Sequence, residues 1–208
     1  YEEFLLAHQK TDFITYRVFC DVFSFLGMDS AFCNVTFENT TLQSIQLTQQ
    51  LMNSIWTSFI LGLIISFPYL LWEIWRFIKP GLHPKEIKRS RGFIFAASLL
   101  FFLGVLFSFY VIAPISVHFL YNYKITDMIQ NNFTMDSHIS LVTNILLGVA
   151  IMFELPVVIY FLSKIGLVTP VFLKKYRKHA LVLVLVISAV ITPPDVASQV
   201  ILAGPIMF

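Results

Sequence analysis

Arg76-Phe77-Ile78-Lys79-Pro80-Gly81-Leu82-His83-Pro84-Lys85-Glu86-Ile87-Lys88-Arg89-Ser90-Arg91 is the stretch that orders the rest of the chain. It holds six of the fourteen Lys and Arg residues and lies between two long apolar runs. A second basic window, Lys164 to Lys178, holds five more. Short loops rich in Lys and Arg stay on the cytoplasmic side of a membrane, so both windows are expected inside and the segments that alternate with them outside. The polar residues 1–50 are then external.

Composition agrees with a chain solvated by lipid: 57% hydrophobic, 12% charged, 22 Phe and a mean hydropathy of +0.78. A soluble domain carries about 25% charged residues. The net charge of +2 gives no nucleic-acid signal, because the bases cap apolar spans and form no stripe with interleaved aromatics.

Working outward from the first basic window, residues 54–72 hold no charge and end in Trp72, Trp75, Arg76 and Lys79. Trp56 precedes Trp72 by about 24 Å of helix, which suits Trp at both interfaces of one crossing. Residues 92–114 form the return crossing, closed by Pro114, and the polar stretch Tyr121 to Ser137 is again external. Residues 139–163 cross inward with one interruption, Glu154. Two further runs, 180–191 and 196–208, flank Thr192-Pro193-Pro194-Asp195. Each rises only about 20 Å against a hydrocarbon core of about 30 Å, so either the bilayer thins there or the pair is a re-entrant hairpin; thin crossings joined by an external Pro-Pro-Asp turn are the favoured expectation.

The fold class is therefore an all-α integral membrane protein, a concave bundle with five spans present here, the last two short. The concavity is expected from the short spans and from Pro68, Pro114 and Pro156. Residues 1–50 form an external helical loop region, and residues 51–208 a single membrane domain. The chain starts with Tyr and shows no signal peptide, yet its first segment reads as translocated. A further span before residue 1, six spans in the intact protein and cytoplasmic ends are the expectation, with truncation at both ends.

The external region carries both cysteines, Cys20 and Cys33, and an oxidising compartment favours their pairing. Two buried thiols in a helical hairpin are the alternative. No catalytic constellation emerges: the five histidines lack metal-ligand spacing, neither phosphate-binding glycine pattern occurs, and no intramembrane base stands ready to activate a nucleophile. No metal, no cofactor and no enzymatic activity are expected.

Three features carry information. Glu154, in Phe153-Glu154-Leu155-Pro156, is a carboxylate at membrane depth, which costs a few kcal/mol unless it faces a cavity or a partner. Pro156 cannot donate to the carbonyl of Met152, so the turn holding Glu154 has a free acceptor. A neutral Glu hydrogen-bonded within the bundle for folding alone is the bland reading; a partner or transport site is the other. Glu86 is one acid among six bases, and by itself it reads as neutralising Lys88 or Arg89, worth under about 1 kcal/mol. The third feature is the Thr192-Pro193-Pro194-Asp195 turn, with Gln199 one turn later; Asp195 can cap the helix that follows.

Trp75-x-Phe77-x-x-Pro80-Gly81-Leu82-x-x-x-Glu86, Phe153-Glu154-Leu155-Pro156, Gly166-Leu167-Val168 and Thr192-Pro193-Pro194-Asp195-x-x-x-Gln199 together resemble the TatC family, the multispanning core of the twin-arginine protein translocase. The likeness covers about residues 50–208 in order, while residues 1–50 look like a lineage-specific expansion of the family's first external loop. The resemblance implies a receptor and conduit that exports folded proteins independently of the Sec route. It implies use of the proton-motive force, location in the bacterial inner membrane, single-span partners of the TatA and TatB type, and homo-oligomers in the receptor complex. Glu86 matches the family's signal-binding carboxylate, with Phe77, Pro80 and Leu82 shaping the floor of the site. A carboxylate pairs bidentately with a guanidinium, which is why arginine is the residue read. Glu154 and Gln199 correspond to positions that meet the single-span partners. Glu73 departs from the neutral residue expected beside the aromatic pair and is expected to pair with Arg76, three residues on. The rival reading is a secondary transporter or ion-coupled carrier with Glu154 as proton site, which calls for inverted repeats that the chain does not display.

Overall fold

A computed structural model describes residues 14–25, 43–44, 46–81, 92–123, 134–164, 166, 176, 178, 182 and 184–189. The described residues are helical apart from short connections. Helix α1 spans Ile14–Phe25, α2 Gln49–Ile78, α3 Phe93–Phe107, α4 Ala113–Asn122 and α5 Met135–Lys164. A 3-10 turn, Lys79–Gly81, follows α2, and a π-helical segment, Ser108–Ile112, joins α3 to α4 without a break. Residues 184–189 are also helical.

Three helical stretches are long and apolar enough to cross a membrane: Gln49–Gly81, Phe93–Tyr121 and Met135–Ser163. They coincide with the three crossings expected from the apolar runs, but all are longer. Helix α2 runs through Pro68 and continues past residue 72 through Glu73 and Arg76, because nothing after residue 72 breaks a helix until Pro80-Gly81. Its 30 residues rise about 45 Å, more than a hydrocarbon core of about 30 Å, so its ends reach beyond the lipid tails.

The second crossing corrects an expectation: Pro114 does not close the span. Pro114 sits at the start of α4, preceded by the π-helical turn, and the helix runs on to Asn122. Because the helix runs on without a break, Pro114 leaves an acceptor in the preceding turn unserved, and the π-bulge shifts the backbone pairing around it. The amide of Ala113 accordingly donates to Ser108, five residues back.

The helices meet along narrow apolar stripes. Asn53, Thr57, Ile60 and Ile64 are the buried face of α2, at helical spacing, and Ala97, Phe101 and Gly104 that of α3. Ile60, Ile64, Phe101 and Ala150 form one cluster, to which Phe67 adds a ring stacked on Phe101 at 3.5 Å. Ile112, Ile145 and Val149 form a second, and Phe109, Val117, Tyr121, Val142 and Leu146 a third. The opposite faces, with Phe59, Ile65, Tyr69, Phe95 and Leu103 exposed, are apolar as well, as expected where lipid is the solvent.

Gly104 sets the closest approach. A Cβ there would stand 3.0 Å from Ala150 Cα and 3.0 Å from Phe153 Cβ, so only glycine lets α3 press against α5. At the end remote from the basic window, Thr134 caps α5 by accepting from the Ser137 amide at 3.3 Å. The Met135 amide donates to Gln43 at 3.1 Å, tying the approach to α2 to the start of α5.

Helix α1 docks on the irregular part of the second crossing. The Thr15 hydroxyl donates to the carbonyl of Tyr110, the acceptor four residues before Pro114 that the proline cannot serve. Tyr16 donates to the Pro114 carbonyl at 3.3 Å and lies 6.3 Å from the His118 ring. Burial, then the proximity of Tyr121, pushes the Tyr16 phenol above its ordinary range, so it remains a donor.

Candidate functional site

The basic end of the bundle is organised by aromatic rings. Trp75 near the end of α2, Phe93 at the start of α3 and Phe161 near the end of α5 converge, with centroid distances of 5.8 Å, 5.5 Å and 4.6 Å. The ring cluster clamps together the ends of three helices and so fixes both flanks of the 82–91 connection. Such contacts contribute about 0.5–1.5 kcal/mol each beyond the area they bury.

Just beyond this clamp, Phe77 is 85% exposed and Pro80 is exposed on the 3-10 turn. Leu82 and Glu86 lie outside the described residues. Glu73 pairs with Arg76 at 3.8 Å, as its spacing led us to expect, and the Arg76 guanidinium lies 6.0 Å from the centre of the Trp72 ring. Both partners are substantially exposed, so the pair is worth under about 1 kcal/mol. Its effect is positional: the acid nearest Phe77 on α2 is already engaged by a cation of the same helix.

Glu154 occupies the other candidate position. Its Oε1 is buried and has no hydrogen-bond partner among the described residues. The residue before it, Phe153, packs on Phe107 at 5.5 Å and against Gly104, so the turn that carries the carboxylate is held by the close contact of α3 with α5. Pro156 lies inside α5, and Met152, whose carbonyl it leaves unserved, is buried. Among the described residues nothing pairs with Glu154 Oε1, and an unpaired buried acceptor calls for water or a partner group.

Gln199, Pro193, Pro194 and Asp195 lie outside the described residues. Cys20 lies on α1 and is disulfide-bonded, while Cys33 is outside the described residues. Glu154 and Phe77 are not brought together; they belong to different depths of the bundle, the one on α5 beside Gly104 and the other beyond the ring clamp.

Several polar atoms that sequence reasoning passed over behave like Glu154. Asn53 Nδ2, Ser98 Oγ, Ser108 Oγ and Ser116 Oγ are buried without hydrogen-bond partners among the described residues. Ser and Asn are too common within spans to stand out by type. Their spacing was the available signal: Asn53, Thr57, Ile60 and Ile64 share one helical face, which places a polar pair at one end of an otherwise apolar stripe.

Comparison with known proteins adds the following. The family model described as "Sec-independent protein translocase protein (TatC)" matches residues 4–205. The Sec-independent protein translocase protein TatC of Blattabacterium sp. subsp. Periplaneta americana is 40% identical over 207 residues, covering 100% of this chain and 78% of that protein. That of Helicobacter pylori strain J99 is 38% identical over 167 residues, covering 80% of this chain and 67% of that protein. The crystal structure of the twin-arginine translocase receptor TatC in the detergent DDM superposes with a TM-score of 0.69 at 29% identity, over 99% of this chain and 93% of that one.

Proposed function

The chain belongs to the TatC family of Sec-independent protein translocase proteins, and on that premise we propose that its basic end receives the twin-arginine signal peptide of a folded passenger. It is a multi-pass membrane protein that serves Sec-independent, twin-arginine protein translocation. The carrier reading of Glu154 is not favoured, since the relatives are named translocase proteins.

In the proposed mechanism, Glu86 is the carboxylate that pairs bidentately with a guanidinium of the signal, and Phe77, Pro80 and Leu82 line the site beside it. The observation that carries this reading is the exposure of Phe77, at 85%, directly beyond a three-ring clamp that holds the helix ends. An exposed aromatic on a rigid base is a docking surface for the apolar part of a signal peptide. The engagement of Glu73 by Arg76 supports Glu86 as the receiving acid, because the neighbouring carboxylate on α2 already has a cation.

Deeper in the bundle, Glu154 offers a hydrogen bond that lipid cannot, and so selects a single-span partner of the TatA or TatB type, with Gln199 on the same surface. The unpaired Oε1 supports this. The receptor is a concave bundle in the bacterial inner membrane, assembled as a homo-oligomer and driven by the proton-motive force, with both basic windows cytoplasmic, residues 1–50 external and a thin region around the Pro193-Pro194-Asp195 turn. A Cys20–Cys33 bridge staples the external region, which the bonded state of Cys20 supports.

The test is Glu86→Lys in membranes, read by photo-crosslinking to a twin-arginine signal peptide. Loss of a charge-assisted pair should reduce crosslinking about tenfold or more. Undiminished crosslinking removes Glu86 from the site.

A further inference from the structure

The end of the bundle remote from the basic window carries a groove that the translocation reading does not use. It has a volume of about 510 Å³ and lies between the first turns of α2 and α5, where Met52, Asn53, Trp56, Phe59, Asp136 and Ser140 line it. Its chemistry is divided. Met52, Trp56 and Phe59 form an apolar wall that is 58%, 50% and 60% exposed, with the rings of Trp56 and Phe59 stacked at 5.9 Å. Asn53 and Asp136 supply opposite polar functions, one a donor and the other an anion.

Asn53 is the decisive residue. It is 6% exposed, lines the groove, and its Nδ2 has no hydrogen-bond partner among the described residues. Its backbone carbonyl is occupied by the Thr57 hydroxyl at 2.5 Å, so what remains unserved is the amide donor. A buried donor without an acceptor is unfavourable, and Asn53 belongs to the lining of the groove, from which an occupant that parts the side chains over Nδ2 offers it an acceptor. Asp136, exposed in the first turn of α5, is the only charged side chain among the described residues of the lining.

We propose that this groove binds the headgroup and upper acyl chain of a zwitterionic phospholipid carrying a free ammonium, the ethanolamine class. A phosphate or ester oxygen accepts from Asn53 Nδ2, the ammonium meets the Asp136 carboxylate, and a chain lies along Met52 and Phe59. Trp56 stands at the depth where indole rings meet headgroups. Charge selects this occupant. An anionic headgroup without a cation leaves Asp136 unmatched and adds repulsion. A partner helix brings carbonyls already engaged in its own ladder and has little to offer Asn53. A small soluble anion makes no use of the exposed aromatic wall.

The experiment is native mass spectrometry of the intact protein released from nanodiscs of phosphatidylethanolamine or phosphatidylglycerol with identical chains. Retention of the ethanolamine lipid, and about tenfold lower retention of the glycerol lipid, is the expected result, the size of one lost charge-assisted hydrogen bond. Asp136→Asn, a change at an exposed position that leaves the fold intact, should lower retention of the ethanolamine lipid by a similar factor, as should Asn53→Leu. If Asn53→Leu does not fold, Asp136→Asn decides alone. Equal retention of the two lipids, or ethanolamine-lipid retention unchanged in Asp136→Asn, overturns the proposal. So does a photoreactive group at Met52 that crosslinks to polypeptide in place of lipid.

Discussion

Pro114 lacks an amide hydrogen, and at the residue scale the consequence is met by a hydroxyl from another helix. Pro114 cannot serve the Tyr110 carbonyl, and the Thr15 hydroxyl donates to it. Thr15 is 7% exposed, so its hydroxyl makes this bond within the packed contact of α1. Thr15→Val should therefore cost about 0.5–1.5 kcal/mol, the net worth of one hydrogen bond, while Thr15→Ser retains the bond; protease susceptibility of α1 in detergent, against wild type, measures both. Equal protection in Thr15→Val would mean that the π-helical turn satisfies Tyr110 by itself. Glu154 is the second case at this scale. Removing an unpaired buried carboxyl should leave expression and thermal stability near wild type, yet weaken copurification of a single-span partner about tenfold. Glu154→Gln, which keeps hydrogen-bonding capacity, should fall between. A collapse of expression in Glu154→Ala would return the residue to a purely structural role. Glu154 was legible because a charge within an apolar run is conspicuous, whereas Asn53 and Ser108 were not, since only burial distinguishes them from ordinary polar residues.

At the scale of elements, the three crossings were visible as apolar runs, but their lengths and their mutual contacts were not. Run length counts uncharged residues, while helix length depends on where a breaker stands, which is why α2 carries on through Glu73 and Arg76. The crossing of α3 on α5 was invisible for another reason: Gly104 is one glycine among eight, and only the facing Ala150 and Phe153 give it meaning. Gly104→Leu should overpack this contact by about 1–3 kcal/mol, with Gly104→Ala milder. Because Phe153 must move, the adjacent Glu154 moves with it. Partner copurification should then fall in Gly104→Leu even at temperatures where the bundle stays folded. Normal copurification together with a lowered melting temperature would separate helix packing from the partner site.

At the scale of the whole molecule, the expected sidedness of the chain rests on charge alone, since eleven of fourteen cations lie in two windows. Of the proposed signal site, the motif singles out Phe77 and Pro80, and both are exposed, but the clamp beneath them joins Trp75, Phe93 and Phe161, far apart in sequence, and no local pattern announces such a meeting. Sidedness leads to a prediction that binds the two ends together. Gln46 is exposed just ahead of α2, and Lys88 follows it by more than one membrane thickness of helix. In intact cells a membrane-impermeant maleimide should label Gln46→Cys at once and Lys88→Cys only after permeabilisation. The wild-type chain should take no label on either side until reductant is added, because Cys20 is already bonded. If Lys88→Cys reacts from outside in sealed cells, the basic window faces the wrong compartment for a cytoplasmic signal, and the receptor role proposed for Glu86 falls with it.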